Sequence, residues 1–335
     1  MARAELLPKI RMTEGDNMEP ILQIEHLSVY FTQYERSFRK KQLATVKDLS
    51  LEIAPGQIVA VVGASGSGKS LLAHSILGIL PYNSHVEGTI RYAGQMLTAE
   101  RAKELRGREI FLIPQGVTYL DPLMKVGAQI RKGRKDQEIR RRSRAALERY
   151  GLGADTEELY PFELSGGMAR RVLIASAVTE KPRLIIADEP TPGLDARAAK
   201  RILSHFRELA DDGAGVLFIT HDLELALSVA DVVTVFYAGE TIEQAGTEDF
   251  VCEENLRHPY TCALWHAMPE HGFKAVEGTQ PYAGTVQTGC PYAAQCPICE
   301  DDCRAEGQIP LTAYKGGTVR CLHPEKGEKY DAGRT

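Results

Sequence analysis

The chain has 335 residues, of which 43% are hydrophobic and 25% charged, and its net charge is −5 at pH 7. These values suit one large globular domain with an appendage, and the negative charge argues against nucleic acid as the default partner. No stretch approaches 18 uninterrupted apolar residues and the start of the chain is polar, so we expect no transmembrane helix, no secretory signal, and a flexible N-terminal extension over residues 1–20.

The first well-marked elements surround a glycine-rich loop at residues 63–70. The apolar run at 58–62 predicts a buried strand, and residues 71–77 predict the start of a helix. Between them the sequence fits G-x-x-x-x-G-K-[ST] at every defined position. The glycines let the backbone wrap around phosphate oxygens, and the N–H groups at the helix N-terminus attract the anion.

We therefore predict a nucleotide-phosphate site at this loop. Lys69 would contact the β- and γ-phosphates, and Ser70 would ligate Mg²⁺. The residues predicted to bind the nucleotide here are Gly63, Ser65, Gly66, Ser67, Gly68, Lys69, Ser70 and Leu71.

The middle of the chain, from about residue 111 to 180, is predicted to be mainly helical. It contains a basic run from Arg131 to Arg144, which we interpret as a solvated helix face, with contact to a membrane subunit or lipid headgroups as the alternative. Near its end, Leu164-Ser165-Gly166-Gly167-Met168 forms a glycine turn before a second helix. This turn is another candidate anion site.

The apolar run at 184–187 predicts a buried strand that ends in two carboxylates. Asp188 can hold Mg²⁺, directly or through water. Glu189 can face the γ-phosphate and act as a general base on the attacking water, a role worth about 10²–10⁴ in rate. The alternative, a helix-capping acidic pair before Pro190, is disfavoured by the phosphate loop upstream.

The apolar run at 216–219 predicts another strand, which ends in Thr220-His221-Asp222. Strands and helices alternate through residues 181–250. Such alternation predicts a mainly parallel sheet with helices on both faces.

The composition changes from about residue 251, where glycine and proline become frequent. Five of the seven cysteines lie between positions 290 and 321. In a chain with no secretory signal, such a cluster indicates metal binding rather than disulfides.

Taken together, the motifs resemble those of the ATP-binding cassette (ABC) ATPases, above all the Leu-Ser-Gly-Gly turn followed by a basic helix. The resemblance implies that Ser165, Gly166 and Gly167 close over the γ-phosphate of ATP bound to a partner subunit, so that two nucleotides lie at a dimer interface. It also implies that Gln115 contacts Mg²⁺ and the attacking water, and that His221 contacts the γ-phosphate and orients this water.

The same resemblance implies two further nucleotide contacts. Asp195, in Pro192-Gly193-Leu194-Asp195, would lie on the loop that crosses to the partner. An aromatic side chain before the phosphate loop would stack on adenine, and Phe31 is our prediction, with Tyr30 and Tyr34 as alternatives. Core packing is the other interpretation of Phe31.

The C-terminal part resembles the ATPases of the oligopeptide/dipeptide/nickel importers. The similar segments are His258-Pro259-Tyr260-Thr261 and residues 116–123, although Gly116 stands where Asp or Asn is usual. The spacing Cys290-x5-Cys296-x6-Cys303-x17-Cys321 matches that family's tail, which is linked with a four-cysteine iron–sulfur cluster.

Four thiolates suit either a [4Fe–4S] cluster or a structural Zn²⁺. The gaps lack the paired C-x2-C of common zinc sites, which favours iron–sulfur. Cys299 is surplus to this set. Because Cys296 and Cys299 would form a zinc-type pair, Zn²⁺ stays open, as do free thiols without metal.

The resemblance implies an α/β P-loop NTPase (RecA-like) fold with a parallel sheet core, a helical subdomain, an antiparallel β edge and a Cys-rich C-terminal extension. The boundaries we expect are 21–255 for the ATPase domain and 256–335 for the extension. With ATP and Mg²⁺, the protein would energise uptake of di/oligopeptides, nickel or a nickel chelate from the cytoplasmic face of the membrane.

The partners implied are a second ABC ATPase subunit (a paralogue or a second copy), two transmembrane permease subunits and an extracytoplasmic substrate-binding protein, with no nucleic acid. The alternative is a non-transport ABC ATPase acting on the ribosome or DNA. Such proteins usually carry two cassettes or long insertions, and this chain has neither. A regulatory module without catalysis is disfavoured because Glu189, His221 and Gln115 are all present.

Overall fold

The computed structural model describes residues 19–34, 40–274, 278–281, 289–305 and 307–327, so most of the predicted N-terminal extension lies outside the described residues. The described residues form twelve strands: β1 (Leu22–Tyr34), β2 (Lys40–Ile53), β3 (Ile58–Val62), β4 (Ser84–Tyr92), β5 (Gln95–Met96), β6 (Ile110–Ile113), β7 (Leu184–Asp188), β8 (Gly215–Thr220), β9 (Val232–Tyr237), β10 (Glu240–Gly246), β11 (Thr312–Tyr314) and β12 (Gly317–Val319).

The described residues also form nine α-helices: α1 (Lys69–Leu77), α2 (Ala99–Leu105), α3 (Val126–Ile130), α4 (Gln137–Arg149), α5 (Gly166–Val178), α6 (Ala196–Asp211), α7 (Leu223–Leu227), α8 (Pro259–His266) and α9 (Pro324–Gly327). Short 3₁₀ helices lie at Val117–Tyr119, Ala154–Glu158, Pro161–Glu163, Thr247–Val251, Glu253–Asn255, Pro269–His271 and Asp301–Arg304. In the part of the chain that the structure covers, no helix combines the length and the apolar character needed to span a membrane.

The strands form one mixed sheet in the order β5-β4-β1-β2-β10-β9-β3-β8-β7-β6. Strands β9, β3, β8, β7 and β6 are parallel, which confirms the predicted parallel core. Strands β5, β4, β1 and β2 are antiparallel and form the predicted edge. The two parts meet through a single residue pair between β2 and β10.

The parallel strands are buried on both faces, as their continuous apolar sequences predict. Alternate residues of β3 face opposite cores: Ile58 and Val62 pack in one, and Val59 and Val61 in the other. The first core includes α5 and α6, and the second includes α1 and the antiparallel strands. Because side chains along a strand point alternately to its two faces, the sheet is the middle layer between the two cores.

The region predicted to be mainly helical carries α3, α4 and α5. Part of its basic run forms ion pairs rather than a free face, since Arg131 and Arg144 lie 3.2 Å and 3.4 Å from the buried Glu157. Arg140 and Arg141 are exposed, as predicted for a solvated helix face.

The C-terminal residues extend the ATPase sheet. Strand β12 pairs antiparallel with β10, where Glu243 lies opposite Val319 and Gln244 opposite Thr318. Strand β11 pairs with β12 in turn. The tail is thereby joined to the sheet that positions the phosphate loop.

Candidate functional site

The phosphate loop lies between the carboxyl end of β3 and the start of α1, and its shape depends on close backbone contacts. A Cβ atom at Gly63 would lie 2.1 Å from the carbonyl oxygen of Phe236, and one at Gly68 would lie 2.8 Å from that of Thr45. Gly66 and Gly68 also have positive φ angles of 81° and 102°. Side chains at 63 and 68 would therefore displace the loop from the strands behind it.

Lys69 points back into this loop. Its Nζ donates to the carbonyl oxygens of Gly63 at 2.7 Å and Ala64 at 2.8 Å. Burial lowers the pKa of the Lys69 ammonium, while the nearby Glu189 and Asp188 act in the opposite direction. The loop thus contains a cation at the place where phosphate charge is expected. Ser65 and Gly66 are exposed at the crest of the loop, Ser67 is buried, and Leu71 is half-buried against the core.

Ser70 and Asp188, two of the three predicted Mg²⁺ ligands, are neighbours. Burial raises the pKa of the Asp188 carboxyl, and the nearby Ser70 hydroxyl opposes this shift. Because hard oxygen ligands suit Mg²⁺ and a cation would offset the cost of burying this carboxylate, the two residues fit the ion.

Three predicted catalytic side chains meet beside this pair. Gln115 Nε2 donates to Glu189 Oε2 at 2.9 Å, and His221 Nδ1 lies 3.0 Å from Glu189 Oε1. They meet because β6, β7 and β8 are parallel neighbours, so their carboxyl ends share one edge of the sheet. The arrangement places one carboxylate between an amide donor and an imidazole.

Sequence reasoning assigned no role to Arg170, yet it supports this arrangement. Its guanidinium, on the buried side of α5, donates to the backbone carbonyls of Glu189 and Gln115. Burial lowers the pKa of Arg170, and the nearby Glu189 opposes this shift. The signal in the sequence was an arginine on an otherwise apolar helix face.

The Leu-Ser-Gly-Gly turn at residues 164–167, which we call the signature turn, lies at the surface, whereas the phosphate loop packs against neighbouring strands. Ser165 caps α5 by accepting a hydrogen bond from Met168 N at 3.3 Å, and both Ser165 and Gly166 are exposed. Asp195 likewise caps α6, accepting from Ala198 N at 2.9 Å. Among the described residues, no hydrogen bond joins Ser165 or Asp195 to the phosphate loop.

Gly167 and Phe31 complete the predicted contacts. A Cβ at Gly167 would lie 3.6 Å from the carbonyl oxygen of Gly193, so the signature turn and the loop before α6 are neighbours. Phe31 is half-buried against the second core, on the strand next to the one whose Thr45 contacts the phosphate loop. Its role at adenine stays a prediction, beside the alternative of core packing.

The four tail cysteines of the predicted metal set line one small cavity. We call this the cysteine cavity; the residues around it are His258, Pro259, Cys290, Ala293, Cys296, Ile298, Cys303, Ile309, Cys321, Leu322 and His323. Cys299 is not among them. Residues from three separate segments of the tail therefore line the same cavity.

Backbone N–H groups act against the effect of burial at the cavity cysteines. Those of Tyr292, Ile298 and His323 lower the pKa of Cys290, Cys296 and Cys321 respectively. Burial nevertheless raises the pKa of Cys290 and Cys296 to about 12. Thiolates here would need a further positive charge, which a metal supplies.

Two family models match the chain. The model described as ABC transporter matches residues 46–192, and the one described as oligopeptide/dipeptide transporter, C-terminal region, matches residues 242–303. The oligopeptide transport ATP-binding protein AppD of Bacillus subtilis (strain 168) is 34% identical, covering 92% of this chain and 99% of the relative. The dipeptide transport ATP-binding protein DppD of Escherichia coli (strain K12) is also 34% identical, covering 94% and 98%.

Solved structures show the same similarity. A dimeric ATP-binding cassette in a post-hydrolysis state, bound to ADP and Pi, gives a TM-score of 0.59 at 25% identity, covering 68% of this chain and 98% of that one. An ATP-binding subunit of an ABC transporter gives a TM-score of 0.56 at 25% identity, covering 69% and 91%.

Proposed function

This chain belongs to the family of ATP-binding subunits of oligopeptide and dipeptide ABC transporters, and from that membership we propose that it drives uptake of di- or oligopeptides through separate transmembrane subunits. ATP binding, and hydrolysis coupled to transport, follow from the family. Peptides are the proposed cargo because the relatives named above are peptide transport proteins. Nickel, the other predicted cargo, and the non-transport alternative have no support from them.

The main structural support for ATP hydrolysis is that Gln115, Glu189 and His221 are in contact beside Lys69. Glu189 lies within hydrogen-bond reach of both neighbours, which orient its carboxylate. A general base must be held in this way to accept a proton from water during attack on the γ-phosphate.

Other residues of the site would bind the phosphates and the magnesium ion. Lys69 would exchange the carbonyls of Gly63 and Ala64 for phosphate oxygens. Ser70 and Asp188 would hold Mg²⁺. When bound, this ion neutralises phosphate charge.

The exposed signature turn supports a dimer in which each subunit completes the other's site. Ser165 and Gly166 are exposed at the start of α5, where the N–H groups of the helix N-terminus attract an anion from outside the chain. A partner ATPase subunit, two permease subunits and a substrate-binding protein are the assembly we propose, with this chain at the cytoplasmic face of the membrane. Co-purification with two polytopic membrane proteins tests it, and a chain purified alone from its native membrane fraction would contradict it.

Substitution Glu189→Gln tests the base. We expect ATP hydrolysis to fall by about 10²–10⁴ because the amide cannot accept the proton, with ATP binding retained. The matched control is Glu138→Gln, an exposed residue of α4, which should keep the wild-type rate. Equal rates for Glu189→Gln and wild type would remove Glu189 as the base.

We also propose that the cysteine cavity holds a metal centre, in first place a [4Fe–4S] cluster. Four cysteines converge on it, and nearby backbone N–H groups act to lower the pKa of their thiols, as donors do around cluster thiolates. Zn²⁺ is the alternative, since ligand atoms of Asp302, Cys303 and His323 lie within 4.8 Å of one another. Either centre would cross-link a tail that has few regular elements.

Anaerobic purification with metal analysis and an absorption spectrum separates these cases. Iron, sulfide and visible absorption are expected, and Cys296→Ser should abolish them while Cys299→Ser should not. A colourless, zinc-containing protein would defeat the iron–sulfur assignment. Protein without metal would defeat both.

A further inference from the structure

His258 lies between the ATPase sheet and the cysteine cavity. It is the N-cap residue of α8, it is 1% exposed, and it lines the cavity. Its backbone N–H donates to Glu243 Oε2 at 2.8 Å. Because Glu243 belongs to β10, this hydrogen bond fixes the start of α8 against the ATPase sheet, and the His258 imidazole is held at a defined place beside the cavity.

The hydrogen bonds of His258 determine which ring nitrogen carries the proton. Nδ1 accepts the backbone N–H of Tyr260 at 3.0 Å, so Nδ1 carries no proton of its own. The imidazole is therefore neutral, and its single proton is on Nε2. Toward the cavity, the His258 side chain can only donate a hydrogen bond.

The acceptor on that side is the sulfur of Cys290. His258 Nε2 lies 3.9 Å from this sulfur, within reach of an N–H···S hydrogen bond. The backbone of Cys290 is anchored separately, since its N–H donates to the carbonyl of Cys303 at 2.8 Å. Donor and acceptor thus come from two segments of the tail, each held by its own backbone hydrogen bond.

The side chains around this contact are largely apolar. Pro259 and Ala293 line the cavity with His258 and Cys290. The ring centroid of the buried Tyr292 lies 5.9 Å from that of His258. A hydrogen bond in such surroundings has a stronger electrostatic effect than the same bond in water, because the local dielectric constant is low.

We propose that His258 is a positioning residue of the metal centre, which donates its Nε2–H to the sulfur of Cys290 and thereby raises the reduction potential of the centre. A donor stabilises negative charge on a ligand sulfur, and the reduced state of a cluster carries one negative charge more than the oxidised state. The inference rests on the proposed [4Fe–4S] centre in the cysteine cavity and names a residue outside its four cysteines.

Two substitutions separate the helix cap from the donor to sulfur. His258→Asn keeps an amide oxygen near the place of Nδ1, so it can still cap α8, but it is too short to reach Cys290. His258→Gln can place an amide N–H near the position of Nε2, but glutamine is not among the preferred N-cap residues. The first variant loses the donor, and the second weakens the cap.

A redox titration of the anaerobically purified full chain, followed by electron paramagnetic resonance, tests the proposal. We expect His258→Asn to shift the redox equilibrium toward the oxidised state by about 3- to 10-fold, which lowers the potential by about 30–60 mV for a one-electron couple. His258→Gln should keep the wild-type potential but unfold at a lower temperature.

His266→Asn is the matched control. His266 belongs to the same helix and is also buried, but its Nε2 lies 2.8 Å from Glu253 Oε1 and it does not line the cavity. This variant should keep the wild-type potential. An equal fall in His258→Asn and His266→Asn would overturn the role of His258.

The remaining outcomes also decide the question. Equal potentials of wild type and His258→Asn, at equal iron and sulfide content, overturn the proposal, as does an equal fall in His258→Asn and His258→Gln. If His258→Asn loses its iron, His258→Gln decides: iron retained at the wild-type potential supports the donor, and loss of iron overturns it. Wild-type protein that contains no iron would instead overturn the iron–sulfur centre itself.

Discussion

At the scale of single residues, Glu189 is held in an unusual backbone conformation. Its φ angle of 46° is in the left-handed region, which costs a residue with a side chain about 1–3 kcal/mol. The N–H of Glu189 donates to the carbonyl of Ile219 at 2.9 Å, and Arg170 binds the Glu189 carbonyl. These contacts hold the turn that points the carboxylate toward Gln115 and His221, so Arg170 acts on the site without facing the nucleotide.

The buried pair formed by His205 and Tyr150 is sensitive to pH. His205 in α6 is buried, and its Nδ1 is hydrogen-bonded to the hydroxyl of Tyr150 at the end of α4. Burial lowers the pKa of His205 to about 4, and the nearby Arg149 adds to this. The folded protein therefore keeps the imidazole neutral where an unfolded chain would begin to protonate it.

We predict that this pair destabilises the protein in acid. Because the pKa of His205 is lower in the folded state, the unfolded state binds more protons between pH 6.5 and about 4, and the free energy of unfolding falls as pH falls through that window. The loss would reach up to about 3 kcal/mol at pH 4. Denaturant unfolding at a series of pH values measures it.

His205→Gln should flatten this part of the profile, since the amide can still hydrogen-bond to Tyr150 but does not titrate. His85→Gln, at an exposed position, should leave the profile unchanged. If His205→Gln and wild type lose the same stability between pH 6.5 and 4, His205 is not responsible.

At the scale of elements, the phosphate loop is shaped by strands as much as by its own sequence. Gly63 lies against the end of β9, and Gly68 lies against β2. Gly166, at the start of α5, has no atom within 4 Å of where its Cβ would be. The two glycine motifs thus need glycine for different reasons, one for packing within the chain and one for an approach from outside.

This difference predicts opposite behaviour for two matched substitutions. Gly63→Ala should destabilise the protein by about 1–3 kcal/mol or more and weaken ATP binding, because the new methyl group displaces the loop. Gly166→Ala should keep the stability and ATP affinity of the isolated chain but lower hydrolysis about tenfold or more, equivalent to about 1.4 kcal/mol at the barrier. Thermal unfolding, ATP titration and ATPase assays measure the three quantities.

Unfolding or loss of ATP binding in Gly166→Ala would show that the signature turn serves its own subunit. Normal stability and ATP affinity in Gly63→Ala would show that the contact with β9 does not constrain the loop.

At the scale of the whole molecule, buried charges join the tail to the ATPase sheet. Arg257 is 1% exposed and lies 3.3 Å from the fully buried Glu243 of β10. Glu243 also accepts the backbone N–H groups of Arg257 and His258, at 3.0 Å and 2.8 Å. Burial raises the pKa of Glu243, while these donors oppose the shift. Arg320 makes a similar buried connection to Asp48 of β2.

We predict that Arg257→Met destabilises the protein by about 3–5 kcal/mol, because it leaves the Glu243 carboxyl buried without its partner. The tail should also become sensitive to proteolysis after residue 256. Arg141→Met is the control, since this exposed arginine pairs with Glu138 on the surface and should change stability by less than about 1 kcal/mol. Equal effects of the two substitutions on unfolding and on proteolysis would contradict the role of the buried pair.

The sequence by itself determined the local elements and the chemistry at their ends. The run at 58–62 is a strand followed by a phosphate loop, and Asp188 and Thr220 end strands β7 and β8, as their apolar patterns predicted. Local patterns suffice here because a strand that is buried on both faces needs a continuous apolar run, and a phosphate loop needs its glycines at fixed positions.

Only the tertiary structure decided which distant residues touch. The contacts of Arg170 with the Glu189 carbonyl and of Arg320 with Asp48, and the position of Cys299 outside the cysteine cavity, all depend on strand order and on how the tail packs. A sequence pattern of spacing and hydrophobicity describes only residues that are close together along the chain. Such a pattern does not describe hydrogen bonds between segments that are far apart in the sequence, because these bonds form only when the sheet order brings the two segments together.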